Sequence, residues 1–202
     1  MNYFKKQWVN FTRKTLLGKL SDIVFVLFIV AMLVPSTRKQ ISAFAAGIMA
    51  TSPKVIDEKL QAKLSPDAYE WQLRDADGRP VQFSEFNGRP VFVNFWATWC
   101  PPCIAEMPSI QKLYDQFGDS VAFVLVTDED PRLVSAFMKK KGYSFPVYQN
   151  LSAVPVQFAS SSIPVTFVVS PSGNILIRKT GAAKWSSSRM VKLMDDLIAS
   201  QP

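Results

Sequence analysis

The sequence predicts a small α/β domain with a mixed sheet, set behind one apolar N-terminal segment. Three observations predict it. Apolar strand-like runs alternate with stretches of helical periodicity from about residue 67 to the C-terminus. Pro90–Ala97 is apolar without alternation, which suits a strand covered on both faces in the middle of such a sheet. The last third reads as a hairpin closed by a helix, which makes the sheet mixed. The 202 residues leave room for one ordinary domain and an appendage.

The appendage is basic, then apolar. The net charge is +7, and residues 1–54 account for all of it, with eight Lys/Arg against Asp22 alone. Residues 55–202 hold fifteen of each sign, so no phosphate-binding face is expected and nucleic acid is not a partner. Lys5, Lys6, Arg13, Lys14 and Lys19 precede the apolar run Ile23–Val34, which stays uncharged to Thr37. As a helix, residues 23–37 would cover roughly 22 Å, short of a hydrocarbon core of roughly 30 Å. Lys19 can snorkel, and Leu16, Leu17 and Leu20 can lengthen the apolar side. Three readings compete: an uncleaved signal anchor, a cleaved signal peptide and a buried core helix. Arg38, Lys39 and Gln40 separate the run from the small residues of Ala43-Phe44-Ala45, against cleavage. The run has no polar face, against a core helix at a surface. The favoured division is therefore a cytoplasmic basic segment (1–22) and a transmembrane signal anchor (23–37, extensible at either end). A membrane-proximal segment and linker (38–66) then leads to the α/β domain (67–202). Five positive charges before the run, against two just after it, favour a cytoplasmic N-terminus and so put that domain on the far side of the membrane. Ile41, Phe44, Ile48 and Met49 have helical spacing within the linker.

Within the domain, Ala68–Leu73 alternates and reads as a strand, and Asp75–Gly78 turns it into a second strand, Val81–Phe83. Ser84 is suited to cap one helical turn, stopped by Asn87-Gly88. After the Pro90–Ala97 strand, Ile104, Met107, Ile110, Leu113, Tyr114 and Phe117 keep a three-four spacing from Pro101 to Gly118. Pro101 and Pro102 fit the first turn of that helix, and Pro108 lies inside it. Val121–Thr127 is the next strand. Arg132–Gly142 is a helix with Leu133, Phe137 and Met138 inward and a solvated Lys139–Lys141 end. Pro146–Tyr148 is a short strand and Val154–Ala159 a helical turn. Val165–Val169 and Ile175–Lys179 form a hairpin across Pro171–Asn174. A last helix begins at Ser186–Ser188, with Met190, Val191, Met194, Leu197 and Ile198 on one face.

Chemistry concentrates at Cys100 and Cys103, the two cysteines of the chain. Histidine is absent, which excludes Ser-His-Asp and Cys-His nucleophiles and imidazole metal sites. Two cysteines cannot make a four-thiolate zinc site, so no metal or other cofactor is expected beyond the dithiol itself. A bare C-x-x-C is a weak signal. Here it follows an apolar strand and opens a helix, where unpaired N–H groups and the helix dipole favour thiolate. That places Cys100 as the attacking nucleophile and Cys103, one turn in, as the more buried resolving thiol. Glu106, three residues further on, faces the same side and is suited to exchange a proton with Cys103; a surface glutamate fits its position equally well. Trp99 is placed to cover the nucleophile. Ile163 is held extended before Pro164, and the isomer of that bond cannot be read from sequence.

The run Phe95-Trp96-Ala97-Thr98-Trp99-Cys100-Pro101-Pro102-Cys103, with Glu106, Pro108 and Ile163-Pro164-Val165-Thr166-Phe167, resembles the thioredoxin superfamily. Over about residues 65–200 it is most similar to the membrane-anchored TlpA/ResA-like thiol-disulfide oxidoreductases. The resemblance implies a thioredoxin-like fold with a mixed central sheet, flanking helices and an N-terminal β-hairpin extension. It implies a cis peptide before Pro164 opposite the cysteines, so that Trp99, Pro101, Pro102, Ile163 and Pro164 form the substrate-binding edge. Glu106 becomes the site carboxylate of the subfamily. Thioredoxin has a buried aspartate where this chain has Asn94, which cannot accept the proton and leaves Glu106 as the candidate. Such proteins usually reduce disulfides of extracytoplasmic proteins, some during cytochrome c maturation. A thiol-donating membrane protein usually recharges them. Oxidase or isomerase activity on the same fold is the alternative direction. A thiol peroxidase would carry Thr-x-x-Cys, which is missing, and a metal carrier is disfavoured by the lack of histidine.

Overall fold

The structure, a computed structural model, describes residues 15–34, 37–38, 41–43, 46–47 and 50–200. The chain divides into two units, residues 1–42 and 43–202. In the first, helix α1 spans Leu16–Leu33, and Thr15 caps it by accepting from the Gly18 N–H at 3.4 Å. That cap, followed by Leu16 and Leu17, starts the helix seven residues before Ile23. Phe25, Leu27 and their neighbours from Ile23 to Val30 are exposed on every side of it. Its 18 residues reach about 27 Å and include Lys19 and Asp22. Among the described residues, no helix is long and apolar enough to cross a membrane. Lys5, Lys6, Arg13 and Lys14 lie outside the described residues, as do Lys39 and Gln40 and, from the expected linker spacing, Phe44, Ile48 and Met49.

In the second unit, β1 (Gln72–Arg74) and β2 (Pro80–Gln82) form the expected hairpin. They are followed by β3 (Val91–Phe95), α2 (Pro101–Phe117), β4 (Ala122–Val126), α3 (Pro131–Lys141) and β5 (Val147–Asn150). Then come β6 (Val165–Val169), β7 (Ile175–Thr180) and α4 (Ser188–Ala199). One seven-stranded sheet runs β2-β1-β5-β4-β3-β6-β7. β3, β4 and β5 are parallel through helical crossovers, while β6, β7 and the hairpin are antiparallel. This is a thioredoxin-like mixed sheet with an N-terminal hairpin extension.

Both faces of the sheet are covered, which explains the unbroken apolarity of β3. Phe92 packs with Met107, Ile110, Trp185 and Met194 on the helical side. Val91 and Val93 pack with Trp71, Phe83 and Phe158 on the other. Strand side chains alternate, so Asn94 falls on the same face as Phe92, toward α2. It stands in register with Thr166 of β6. On α2, Cys103, Glu106, Met107, Ile110 and Leu113 are all buried, one continuous three-four stripe facing the sheet.

Two expected elements and one expected cap differ. The turn expected from Ser84 begins at Phe83, with Gln82 as its N-cap and the Gln82 N–H donating to Glu85 Oε1 at 2.9 Å. Pro66–Glu70 is a 3₁₀ turn, not the start of a strand. The buried residues Ala68 of the turn, Trp71 after it and Leu73 of β1 are spaced three and then two apart, a helical step followed by an extended one. Pro66 at the first position favours the turn. On α3 the inward residue is Val134, with Phe137 and Met138 half-buried against the core, whereas Leu133 is 62% exposed. Gly142 ends α3 at φ +70°, a left-handed cap that a side chain would strain.

Candidate active site

Cys100 is the N-cap of α2, and Pro101 and Pro102 occupy its first turn. Prolines lack the N–H that would go unpaired there, so the first free donor is the Cys103 N–H, 3.3 Å from Cys100 Sγ. The two cysteines form a disulfide with Cα atoms 5.3 Å apart. Cys103 is fully buried and Cys100 nearly so. Ile163–Pro164 is a cis peptide, and the Ile163 carbonyl oxygen lies 3.9 Å from Cys100 Sγ. Residues 63 positions apart thus meet at the sulfur, because β6 runs antiparallel beside β3 and delivers Pro164 to the end where α2 begins. Trp99 stands 58% exposed beside the disulfide. A cleft of about 300 Å³ opens between Trp99, Phe95, Val154 and Ile163, with Asp128 and Glu129 at its edge.

Glu106 lies in the core at 1% exposure, so the surface-glutamate alternative does not hold. Its Oε1 accepts from Asn94 Nδ2 at 2.9 Å. Its Oε2 accepts from Trp185 Nε1 at 2.9 Å and from the Ala183 N–H at 3.1 Å. Burial pushes its pKa up from 4.5 to about 7, against the downward pull of those three donors and of the Lys179 charge. The carboxyl therefore changes charge near neutral pH, three residues after Cys103 on α2. Asn94 also donates to Thr166 Oγ1 at 2.8 Å.

Several of these partners were not singled out in the sequence. Trp185 and Ala183 sit in the β7–α4 connection, where no pattern marks them. Ser109 fixes that connection to α2 by accepting from the Trp185 N–H at 3.1 Å and donating to the Ala183 carbonyl at 3.3 Å. Glu129 is a second omission. Its carboxylate accepts from the Thr98 N–H at 2.5 Å and the Thr98 hydroxyl at 2.7 Å, and its own carbonyl accepts from Gln149 Nε2 at 2.9 Å. It therefore clamps the loop that carries Trp99 and Cys100. Its place just past the C-terminal end of β4 was the available signal, since ligand crevices of open α/β sheets lie outside such ends.

The Redoxin family model matches residues 58–196. The chain belongs to the redoxin family. This redoxin is 31% identical over 141 residues to the thiol-disulfide oxidoreductase ResA of Halalkalibacterium halodurans, covering 68% of this chain and 78% of that one. It is 36% identical over 122 residues to ResA of Bacillus subtilis, covering 57% and 66%. The structure of a DsbF homologue from Corynebacterium diphtheriae superposes with a TM-score of 0.56 at 19% identity, over 73% of this chain and 94% of that one, a likeness of fold. The redoxin is a thiol-disulfide oxidoreductase, and its redox group is the Cys100–Cys103 pair.

Proposed function

We propose that this redoxin is a membrane-tethered disulfide reductase whose α/β domain works outside a bacterial cytoplasmic membrane. The observation that supports proton-coupled exchange at this pair is the buried Glu106, three residues after Cys103 on the helix; it serves either direction, and the reduction potential decides between them. In reduction, Cys103 must lose its proton before it can attack, and a carboxylate with a pKa near 7 is suited to take it. The reduced pair begins with a Cys100 thiolate, favoured by the Cys103 N–H and the dipole of α2. It attacks one sulfur of a substrate disulfide, forms a mixed disulfide and expels the first substrate thiolate. Cys103, its proton passed to Glu106, attacks Cys100 Sγ, and the second substrate thiolate leaves. Two electrons pass to the substrate and the Cys100–Cys103 bond closes. Trp99, Pro101, Pro102, Ile163 and Pro164 form the edge on which the substrate backbone lies.

The substrates are disulfide-containing proteins of the outer compartment, cytochrome c precursors among them, and a thiol-donating membrane protein restores the dithiol. The tether is residues 23–37, extensible at either end, with the basic residues before it in the cytoplasm, 38–66 as linker and 67–202 as the working domain. The uncovered apolar surface of α1 supports this assignment, as does the basic stretch before it. The test is the reduction potential of the Cys100/Cys103 couple. A value well below those of strong oxidants is expected, and one near roughly −120 mV would sink the reductase direction in favour of an oxidase.

A further inference from the structure

Asn94 is fully buried where β3, β6 and α2 meet, and half of its amide is unused. Nδ2 makes both bonds, to Glu106 Oε1 and Thr166 Oγ1, while the buried Oδ1 has no partner. Turning the amide by half a revolution exchanges these two atoms. Oδ1 then accepts from the Thr166 hydroxyl, and from Glu106 when that carboxyl holds its proton on Oε1. Each orientation makes two bonds; the first leaves the acceptor Oδ1 unpaired and the second leaves the two N–H groups of Nδ2 unpaired. They differ in the charge they require: the first needs a carboxylate, the second a carboxylic acid.

The other partners of Glu106 decide where the proton goes. Oε2 faces Trp185 Nε1–H and the Ala183 N–H, which can only donate. A proton on Oε2 would meet two donors, so it must sit on Oε1, facing Asn94. Lys179, in register with Thr166 on β7, adds a positive charge, and Cys103 lies one turn before Glu106 on α2. Neither supplies Oε1 with a partner. An aspartate at position 94 would set a second carboxylate against Glu106.

We propose that Asn94 is a reversible positioning partner of Glu106, its amide turning over as the carboxyl gains and loses its proton. The acid then stays hydrogen-bonded in both charge states, so its proton can come and go without opening the core. The inference rests on the reading of Glu106 as the group that exchanges a proton with Cys103. Burial already brings both charge states within reach of neutral pH.

The test is nuclear magnetic resonance of the labelled full chain from pH 5 to pH 9, following the Asn94 side-chain amide and the Glu106 carboxyl carbon. Both signals are expected to titrate with one midpoint. The proximity of the Asn94 NH₂ protons to the Thr166 side chain should be strong at high pH and lost at low pH. In Glu106→Gln the amide should stop responding to pH. An amide that keeps one orientation while Glu106 titrates overturns the proposal. Thiol trapping of Cys103 in wild type and Glu106→Gln separates the two readings. A pH dependence lost in Glu106→Gln, alongside a fixed amide, leaves the Glu106 reading standing and the Asn94 proposal overturned. A turning amide with a Cys103 profile that ignores Glu106 supports the Asn94 partnership and removes the proton-exchange reading.

Discussion

Cys100 and Cys103 share one bond but have different surroundings. Around Cys100 the groups are largely backbone: the Cys103 N–H, the Ile163 carbonyl and a loop held by Glu129. Around Cys103 the environment is a closed core, with a carboxyl held by side chains and a backbone N–H from two other elements. The sulfur of Cys100 sits where a helix begins, and that of Cys103 lies inside the core. On the proposed mechanism the first is made reactive by its place on the helix and the second by Glu106, whose pKa burial raises to about 7.

The sharpest way to break this contrast is to remove each sulfur. Cys100→Ser should abolish reduction of a protein disulfide, whereas Cys103→Ser should accumulate a mixed disulfide visible on a non-reducing gel. Equal trapping by both variants would mean that the outer and inner roles are not distinct. Next in size, Glu106→Gln should slow resolution by about 10²-fold and erase an inflection near pH 7 in the turnover profile. The same variant has a stability signature. The folded-state pKa of Glu106 lies above its unfolded value, so the folded chain binds more protons between about pH 4.5 and 7. Stability of the oxidised form should therefore fall by roughly 3 kcal/mol as pH rises through that window, then stay level with respect to this group. Urea midpoints at pH 5 and 8 check it, and Glu106→Gln should flatten the difference.

Perturbing the outer side should have smaller effects. Glu129→Ala removes both bonds to Thr98 and should cost about 1–3 kcal/mol in urea unfolding, with a several-fold loss of turnover. Thr98→Val, which keeps the backbone N–H bond, should cost less; the reverse order would show that Glu129 does not act through this loop. Trp99→Ala is expected to raise KM about two- to five-fold while leaving stability within about 0.5 kcal/mol, since the ring is exposed.

Legibility in the sequence follows the same division. Cys100, the prolines that open α2 and the strand behind them are contiguous, and local pattern is enough to read them. Glu106 was placed on the right side of its helix by spacing, but spacing allowed a surface position as well. Its depth depends on Trp185 arriving from 79 positions away. The strand expected at Ala68–Leu73 and the inward Leu133 differ for a related reason: a short apolar pattern fits more than one orientation, and packing selects one.

The order of strands and helices, the C-x-x-C at a helix start and the concentration of charge in the first 54 residues were determined by the sequence alone, because each is a local property of neighbouring residues. The meeting of Asn94 with Thr166, the three donors on Glu106 and the clamp of Glu129 on Thr98 were decided by the tertiary structure. These contacts depend on strand register and on loops folded back over the core, and they join residues 12 to 79 positions apart. The Glu106 carboxyl titrates near neutral pH only because that assembly has taken it out of water.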